Sequence, residues 1–195
     1  MAIIGFCGFI NSGKSTVANI LVAEHGYKKL AFADTLKDTV AAMFGWPRYL
    51  LEGDTDASRA FREAPDQYWS DRLGMEITPR WVLQDFGTSI GREYYHQNFW
   101  VYCLENKLQW HDNVAIPDVR FPNEADVIRK SGGYVVRVRR ALNPYPVENA
   151  LHISETAWKN IEFDYTIENE KLSELNDKVK IMLKKLHTEL YSPDQ

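Results

Sequence analysis

The chain has only two cysteines, Cys7 and Cys103, far apart and without metal-ligand spacing. That scarcity excludes a disulfide scaffold and a cysteine-based zinc finger, and it suits a reducing cytoplasm, the compartment expected here. No run approaches the ~20 consecutive apolar residues of a membrane helix, so no membrane association is expected. The stretch Met1–Cys7 also lacks the basic-then-apolar form of a signal peptide. Basic charge is short as well: 23 Lys and Arg stand against 27 Asp and Glu, a formal net charge of −4. A general polyanion binder is normally basic overall, so no stable nucleic-acid binding is expected, although a small local anion site is allowed. Repeats, low-complexity tracts and long linkers are all missing. What remains is 195 residues, 45% hydrophobic and 26% charged. That is the composition of a globular chain with a real core, and the length suits one domain of ~100–200 residues.

Ala2–Cys7 is a short apolar run that reads as a strand buried on both faces. Past a glycine-rich turn, Val17, Ala18, Ile20, Leu21 and Val22 fall at helical spacing up to Gly26, a C-cap. A second strand is expected over Tyr27–Ala33 and a second helix over Thr35–Phe44. From Trp46 to Asn98 the pattern turns irregular, with helices expected at Pro79–Phe86 and then Phe99–Trp110. Strands are expected at Val114–Val119, Tyr134–Val138 and Phe163–Ile167, with a helix at Asn123–Lys130. Pro117 is awkward inside its strand because it has no N–H for the ladder. The last segment carries an apolar stripe of Leu172, Leu175, Val179, Met182, Leu183, Leu186 and Leu190. Such a stripe usually packs on its own sheet, the alternative being a dimer seam. Strands alternating with helices point to a parallel α/β sandwich with helices on both faces.

Chemistry enters at Gly8-Phe9-Ile10-Asn11-Ser12-Gly13-Lys14-Ser15, which matches G-x-x-x-x-G-K-[ST] at every fixed position. Glycines let consecutive backbone N–H groups turn inward as a nest for phosphate oxygens. Lys14 adds a mobile positive charge for the β- and γ-phosphates, and the Ser15 hydroxyl suits Mg²⁺. The helix that begins here points its positive dipole end at the same anion. The strand before and the amphipathic helix after supply the context the motif needs, so a nucleoside-triphosphate site is expected. Its donor-binding residues are Gly8, Asn11, Ser12, Gly13, Lys14, Ser15 and Thr16. A strand-end carboxylate normally completes the metal shell. Asp118 is the candidate, with capping of the next turn as its bland alternative. Asp34 could face an acceptor or cap the following helix.

A phosphate loop fixes a cofactor class and leaves the reaction open. No N-K-x-D base-reading motif of a GTPase is present, since Asn106-Lys107-Leu108-Gln109 ends in the wrong residue. Arginine is scattered instead through the irregular regions: Arg59, Arg62, Arg72, Arg80 and Arg92, then Arg120, Arg129, Arg137, Arg139 and Arg140. Moving a phosphoryl group between two anions needs several charges neutralised while the acceptor is held in line. Arginine suits this because its planar fork binds phosphate bidentately and stays ionised. Some of these arginines, Arg129 among them, are ordinary surface residues. Trp46, Trp69, Trp81, Tyr94, Tyr95, Phe99 and Trp100 interleave with them, and aromatic planes stack on bases.

Taken in order, several segments resemble the phage deoxynucleoside monophosphate kinases. They are the loop Gly8–Ser15, Phe32-Ala33-Asp34-Thr35-Leu36-Lys37, Ser58-Arg59-Ala60-Phe61-Arg62, and Thr78-Pro79-Arg80 with Leu83-Gln84 and Gly87-Thr88. Asp118-Val119-Arg120-Phe121-Pro122-Asn123-Glu124-Ala125-Asp126 and His152-Ile153-Ser154-Glu155 follow. The resemblance implies ATP- and Mg²⁺-dependent phosphorylation of deoxynucleoside monophosphates for phage DNA precursors. It implies a three-layer parallel-sheet, nucleoside-monophosphate-kinase-like fold in a single domain, with an acceptor-binding region near residues 46–98 and a lid near 139–156. Asp34, Lys37 and Arg62 would hold the acceptor, and Trp69, Gln84, Thr88 and Arg92 would line the sugar and base pocket. Asp118 and Arg120 would flank the reacting phosphates with Glu124 nearby, Ser15 and Asp118 would hold the metal, and Arg139 or Arg140 would cover ATP. The family type is a homodimer, which leaves self-association open. Thr35 replaces the proline of the family's Phe-Ala-Asp-Pro-Leu-Lys form, and the chain is shorter than the T-even enzymes, so base preference does not transfer. Rival readings are another small-molecule kinase, such as a dephospho-coenzyme A kinase, or a nucleotide-gated nucleic-acid module.

Overall fold

An apolar run without polar interruption is satisfied only by burial on both faces, and strand β1, Ala2–Cys7, is buried at every residue of the computed structural model. The structure describes residues 2–140 and 157–190, with side chains in the last helix as far as residue 186. The other strands are β2 (Lys28–Lys29), β3 (Asn113–Ile116), β4 (Tyr134–Arg139) and β5 (Tyr165–Glu168). They form a five-stranded sheet in the order β2-β3-β1-β4-β5, and every neighbouring pair is parallel. β1 is therefore central, with Ile4 facing Ala115 on one side and Tyr134 on the other.

Alternation along β1 sorts its side chains between two faces. Ala2, Ile4 and Phe6 join Val136, Val138 and Ile167 in one core with helix α1 (Lys14–His25) and the last helix, Leu175–Leu190. From α1 come Val17, Ala18 and Leu21, and from the last helix Leu175, Val179, Met182 and Leu186. Of the C-terminal stripe, Leu175, Val179, Met182 and Leu186 are buried within the chain, Leu183 packs half-buried against them, Leu172 is exposed, and the Leu190 side chain lies outside the described residues. On the opposite face Gly5 lies against Val119 and Ile128, a residue of the helix Pro122–Lys130.

Two expected strands are shorter than their sequence patterns. Tyr27–Ala33 contributes only Lys28–Lys29, because Phe32 and Ala33 turn into helix α2 (Asp34–Phe44). The strand expected over Val114–Val119 ends at Ile116. Pro117 cannot donate to the ladder, so Pro117 and Asp118 form a turn. Val119 N–H then returns to the Phe6 carbonyl at 3.1 Å.

The stretch expected to be irregular is mostly helical. It holds α3 (Asp56–Glu63), α4 (Gln67–Leu73), α5 (Pro79–Asp85) and a π-helical stretch at Phe86–Tyr95, before α6 (Phe99–Leu108). Caps define the short helices. Thr55 Oγ1 accepts from Ser58 N–H at 3.1 Å, Asp66 Oδ1 from Trp69 N–H at 3.0 Å, and Thr78 Oγ1 from Trp81 N–H at 3.1 Å. Leu36, Val40, Trp46, Leu51, Ile77, Val82, Leu83 and Trp100 give this region its own core. The chain divides into two compact units, Phe32–Leu104 and the remainder, Met1–Ala31 with Glu105–Gln195. Among the described residues, the α-helices wholly within the remainder are α1, α7 (Pro122–Lys130) and α8 (Leu175–Leu190).

Candidate active site

In parallel α/β sheets ligands bind beyond the carboxyl ends of the strands, where helix N-termini converge. The Gly8–Ser15 loop lies there, between β1 and α1. Its backbone takes angles that favour glycine: φ is +136° at Gly8, +106° at Gly13 and +60° at Asn11. A Cβ on Gly8 would collide with the Val138 carbonyl, and one on Gly13 with the Asn169 side-chain amide. Lys14 Nζ donates to the carbonyls of Gly8 at 2.8 Å and Phe9 at 2.6 Å, which holds its charge across the loop. The Ser12 hydroxyl is buried and has no hydrogen-bond partner among the described residues. A cradle of positive-φ residues, a lysine ammonium and an orphaned buried hydroxyl fits a phosphate ligand. Ser15 is exposed and Thr16 half-buried at the first turn of α1. Behind the loop, burial pushes the Cys7 thiol up to about 12, so it stays neutral and donates to the Val136 carbonyl.

Asp118 sits half-buried in the turn after β3, and the bond from Val119 N–H to Phe6 sets that turn beside the end of β1. Arg120 follows in the chain and is exposed. Glu124 is buried, and its Oε2 accepts from the N–H groups of Arg120 at 2.7 Å and Phe121 at 3.1 Å. Its carboxylate therefore caps α7, behind Pro122 at the first helical position. Arg139 ends β4 and pairs loosely with Glu168 at 3.5 Å; Arg140 follows it, exposed. The rest of the expected lid, residues 141–156, lies outside the described residues, as does His152–Glu155. Among the described residues no cluster of three His, Cys, Asp or Glu could hold a metal alone.

In the unit Phe32–Leu104, Lys37 Nζ meets Glu52 Oε2 at 2.6 Å. Arg48 spans three carboxylates, Asp38 at 2.6 Å, Asp34 at 3.2 Å and Glu52. Arg62 Nη1 reaches the Glu52 carbonyl at 3.4 Å. Asp34 thus begins α2 as a partner of Arg48, and no side-chain cap forms there. Burial works to raise the Glu52 pKa, but Lys37 and Arg48 together hold it below its usual 4.5. Trp69 packs edge-on against Phe44 and donates Nε1–H to the Phe44 carbonyl at 2.9 Å. Gln84 is exposed on α5. Thr88 and Arg92 line an open cavity of about 620 Å³ with Glu93, His96, Gln97 and Asn98. Arg48 and Glu52 pair at i,i+4, but their other partners, Asp38 and Lys37, are 10 and 15 residues away, and Asn169 reaches a partner 157 residues away, beyond any local pattern.

The class follows from this placement: a phosphate-loop α/β protein, with its loop at the end of the central strand of a parallel sheet. A family model for deoxynucleotide monophosphate kinase matches residues 58–179. A protein of Acanthamoeba polyphaga mimivirus that carries the deoxynucleotide monophosphate kinase name is 32% identical over 189 residues, 89% of this chain and 91% of its own. The deoxynucleoside-5'-monophosphate kinase of Escherichia phage T5 is 44% identical over 57 residues, 28% of this chain and 23% of that protein. Among solved structures, TT1252 from Thermus thermophilus superposes with a TM-score of 0.51 at 22% identity over 98% of both chains, a likeness of fold. This chain belongs to the deoxynucleotide monophosphate kinase family, the one its motifs resemble.

Proposed function

We propose that the protein transfers the γ-phosphoryl group of ATP to the phosphate of a deoxynucleoside monophosphate, releasing ADP and a deoxynucleoside diphosphate. The observation that carries this reading is the cradle at Gly8–Ser15, with its buried orphan hydroxyl on Ser12, in a member of this family. Lys14 and the loop amides, from Gly8 and Asn11 through Thr16, hold the donor phosphates. Ser15 and Asp118 are the residues that would hold Mg²⁺, which when bound neutralises charge on the donor phosphates. Positioning and electrostatics carry most of phosphoryl transfer, so no covalent nucleophile is required.

Lys37 and Arg62 hold the acceptor phosphate in this proposal, with Asp34 setting Arg48 beside them. Thr88 and Arg92 face the sugar and base from their cavity, with Gln84 and Trp69 supporting that region. Arg120, Arg139 and Arg140 offset charge as the phosphoryl group moves, and Glu124 fixes the turn that carries Arg120. The reducing cytoplasm is the compartment in which its two thiols would persist. Among the described residues no helix is long and apolar enough to cross a membrane. Lys14→Ala should lower ATP-dependent phosphorylation of deoxynucleoside monophosphates by at least ~100-fold, the scale of one lost preorganised electrostatic contact. Turnover that survives the change removes Lys14 from the mechanism. Arg62→Ala should raise the acceptor KM with little change in the ATP KM; an unchanged KM for every acceptor removes Arg62 from the site.

A further inference from the structure

We propose that Asn169, the residue after β5, is a positioning residue that sets the donor-phosphate loop from the far end of the chain. Its backbone N–H donates to the Arg139 carbonyl at 2.7 Å, which extends the β4–β5 pairing one residue toward the loop. Its side-chain Nδ2 donates to the Ser12 carbonyl at 2.8 Å, and the residue is buried at 8% exposure. A trans peptide is planar, with C=O and N–H pointing in opposite directions. Drawing the Ser12 carbonyl toward Asn169 therefore turns the Gly13 N–H the other way, as a donor within the nest.

Gly13 answers to this contact as well as to its φ of +106°. A side chain there would occupy the place of the Asn169 amide, so glycine at 13 and asparagine at 169 are a matched pair. Two more loop carbonyls follow the same logic. Those of Gly8 and Phe9 are taken by Lys14, and Phe9 also accepts from Ser12 N–H at 3.2 Å. With these three carbonyls turned to donors, the peptides that carry them leave N–H groups for an anion. Asparagine achieves this without a charge of its own; an aspartate there would place a carboxylate beside the donor phosphates and lose the donated bond.

This assignment rests on the proposed donor role of the loop, but its test does not depend on the acceptor. Asn169→Ala and the near-isosteric Asn169→Asp are compared with the parent protein by calorimetric ADP binding, by KM for ATP and for the acceptor, and by thermal unfolding. Losing one buried hydrogen bond at the site predicts ADP affinity weakened, and ATP KM raised, by about tenfold in Asn169→Ala and by more in Asn169→Asp. The acceptor KM should stay within about twofold. ADP affinity unchanged in a folded Asn169→Ala protein overturns the proposal. So does an equal rise in both KM values, or loss of the folded state in both variants, since each assigns Asn169 to the fold alone. A parent that binds ADP but phosphorylates no deoxynucleoside monophosphate would instead sink the acceptor reading, while the ADP affinities still decide the role of Asn169.

Discussion

Glu52 is bonded to three cations at once, Lys37 and Arg48 through its carboxylate and Arg62 through its carbonyl. Two of those cations are proposed to hold the acceptor phosphate, so Glu52 fixes where both sit. Burial opposes its charge and the two partners overcome it, leaving its folded pKa below the unfolded 4.5. A carboxylate depressed in the folded state contributes stability that is fully present above its unfolded pKa and fades as pH falls through the folded value. Denaturant unfolding of the parent and Glu52→Gln, followed from about pH 6 to about pH 3, should therefore show the parent losing more stability than the variant. Parallel pH profiles would contradict the coupling. Lys37 and Arg62 were singled out in the sequence by a family resemblance, and Lys14 by a motif with a mechanism. Glu52, Arg48 and Asn169 were not, because a carboxylate or amide that orders someone else's side chain has no spacing rule of its own.

Elements were legible where many residues vote for them. β1, α1 and α8 carry long apolar patterns, and the sheet buries them as those patterns require. The helix expected at Pro79–Phe86 forms as α5, whereas α3 and α4 were missed because each is only 7 or 8 residues long. Over so few residues helical periodicity barely repeats, and caps and tertiary packing define the element instead. Pro117 marks the true end of β3, a chain-stop visible in the sequence as an anomaly and explained once the ladder is seen to finish at Ile116. The packing of β1 on α7 yields a sharp prediction. A Cβ on Gly5 would collide with Ile128 and crowd Val119, so Gly5→Ala should destabilise the protein by about 1–3 kcal/mol in equilibrium unfolding. An unchanged unfolding midpoint would mean that α7 stands further from the sheet than described.

For the whole molecule, a net charge of −4 first argued only against long polyanions. It is compatible with local cations at each proposed phosphate: Lys14 at the loop, and Lys37 with Arg62 in the unit Phe32–Leu104. The two units carry separate cores, one on the sheet and one around Trp46 and Trp100. That division was legible only in part: no linker marks it, but the second unit, an insertion between neighbouring elements of the sheet, contains the stretch Trp46–Asn98 in which the pattern turns irregular. The central claim is phosphoryl transfer from ATP to a deoxynucleoside monophosphate, and acceptor-dependent ADP release tests it most directly. The four common deoxynucleoside monophosphates and their ribose counterparts are each supplied with ATP and Mg²⁺, and the diphosphate product is identified. The account predicts ADP formed in step with a deoxynucleoside diphosphate for at least one acceptor, and its loss in Lys14→Ala. ADP release that ignores the acceptor, or no diphosphate from any of the eight, would contradict it.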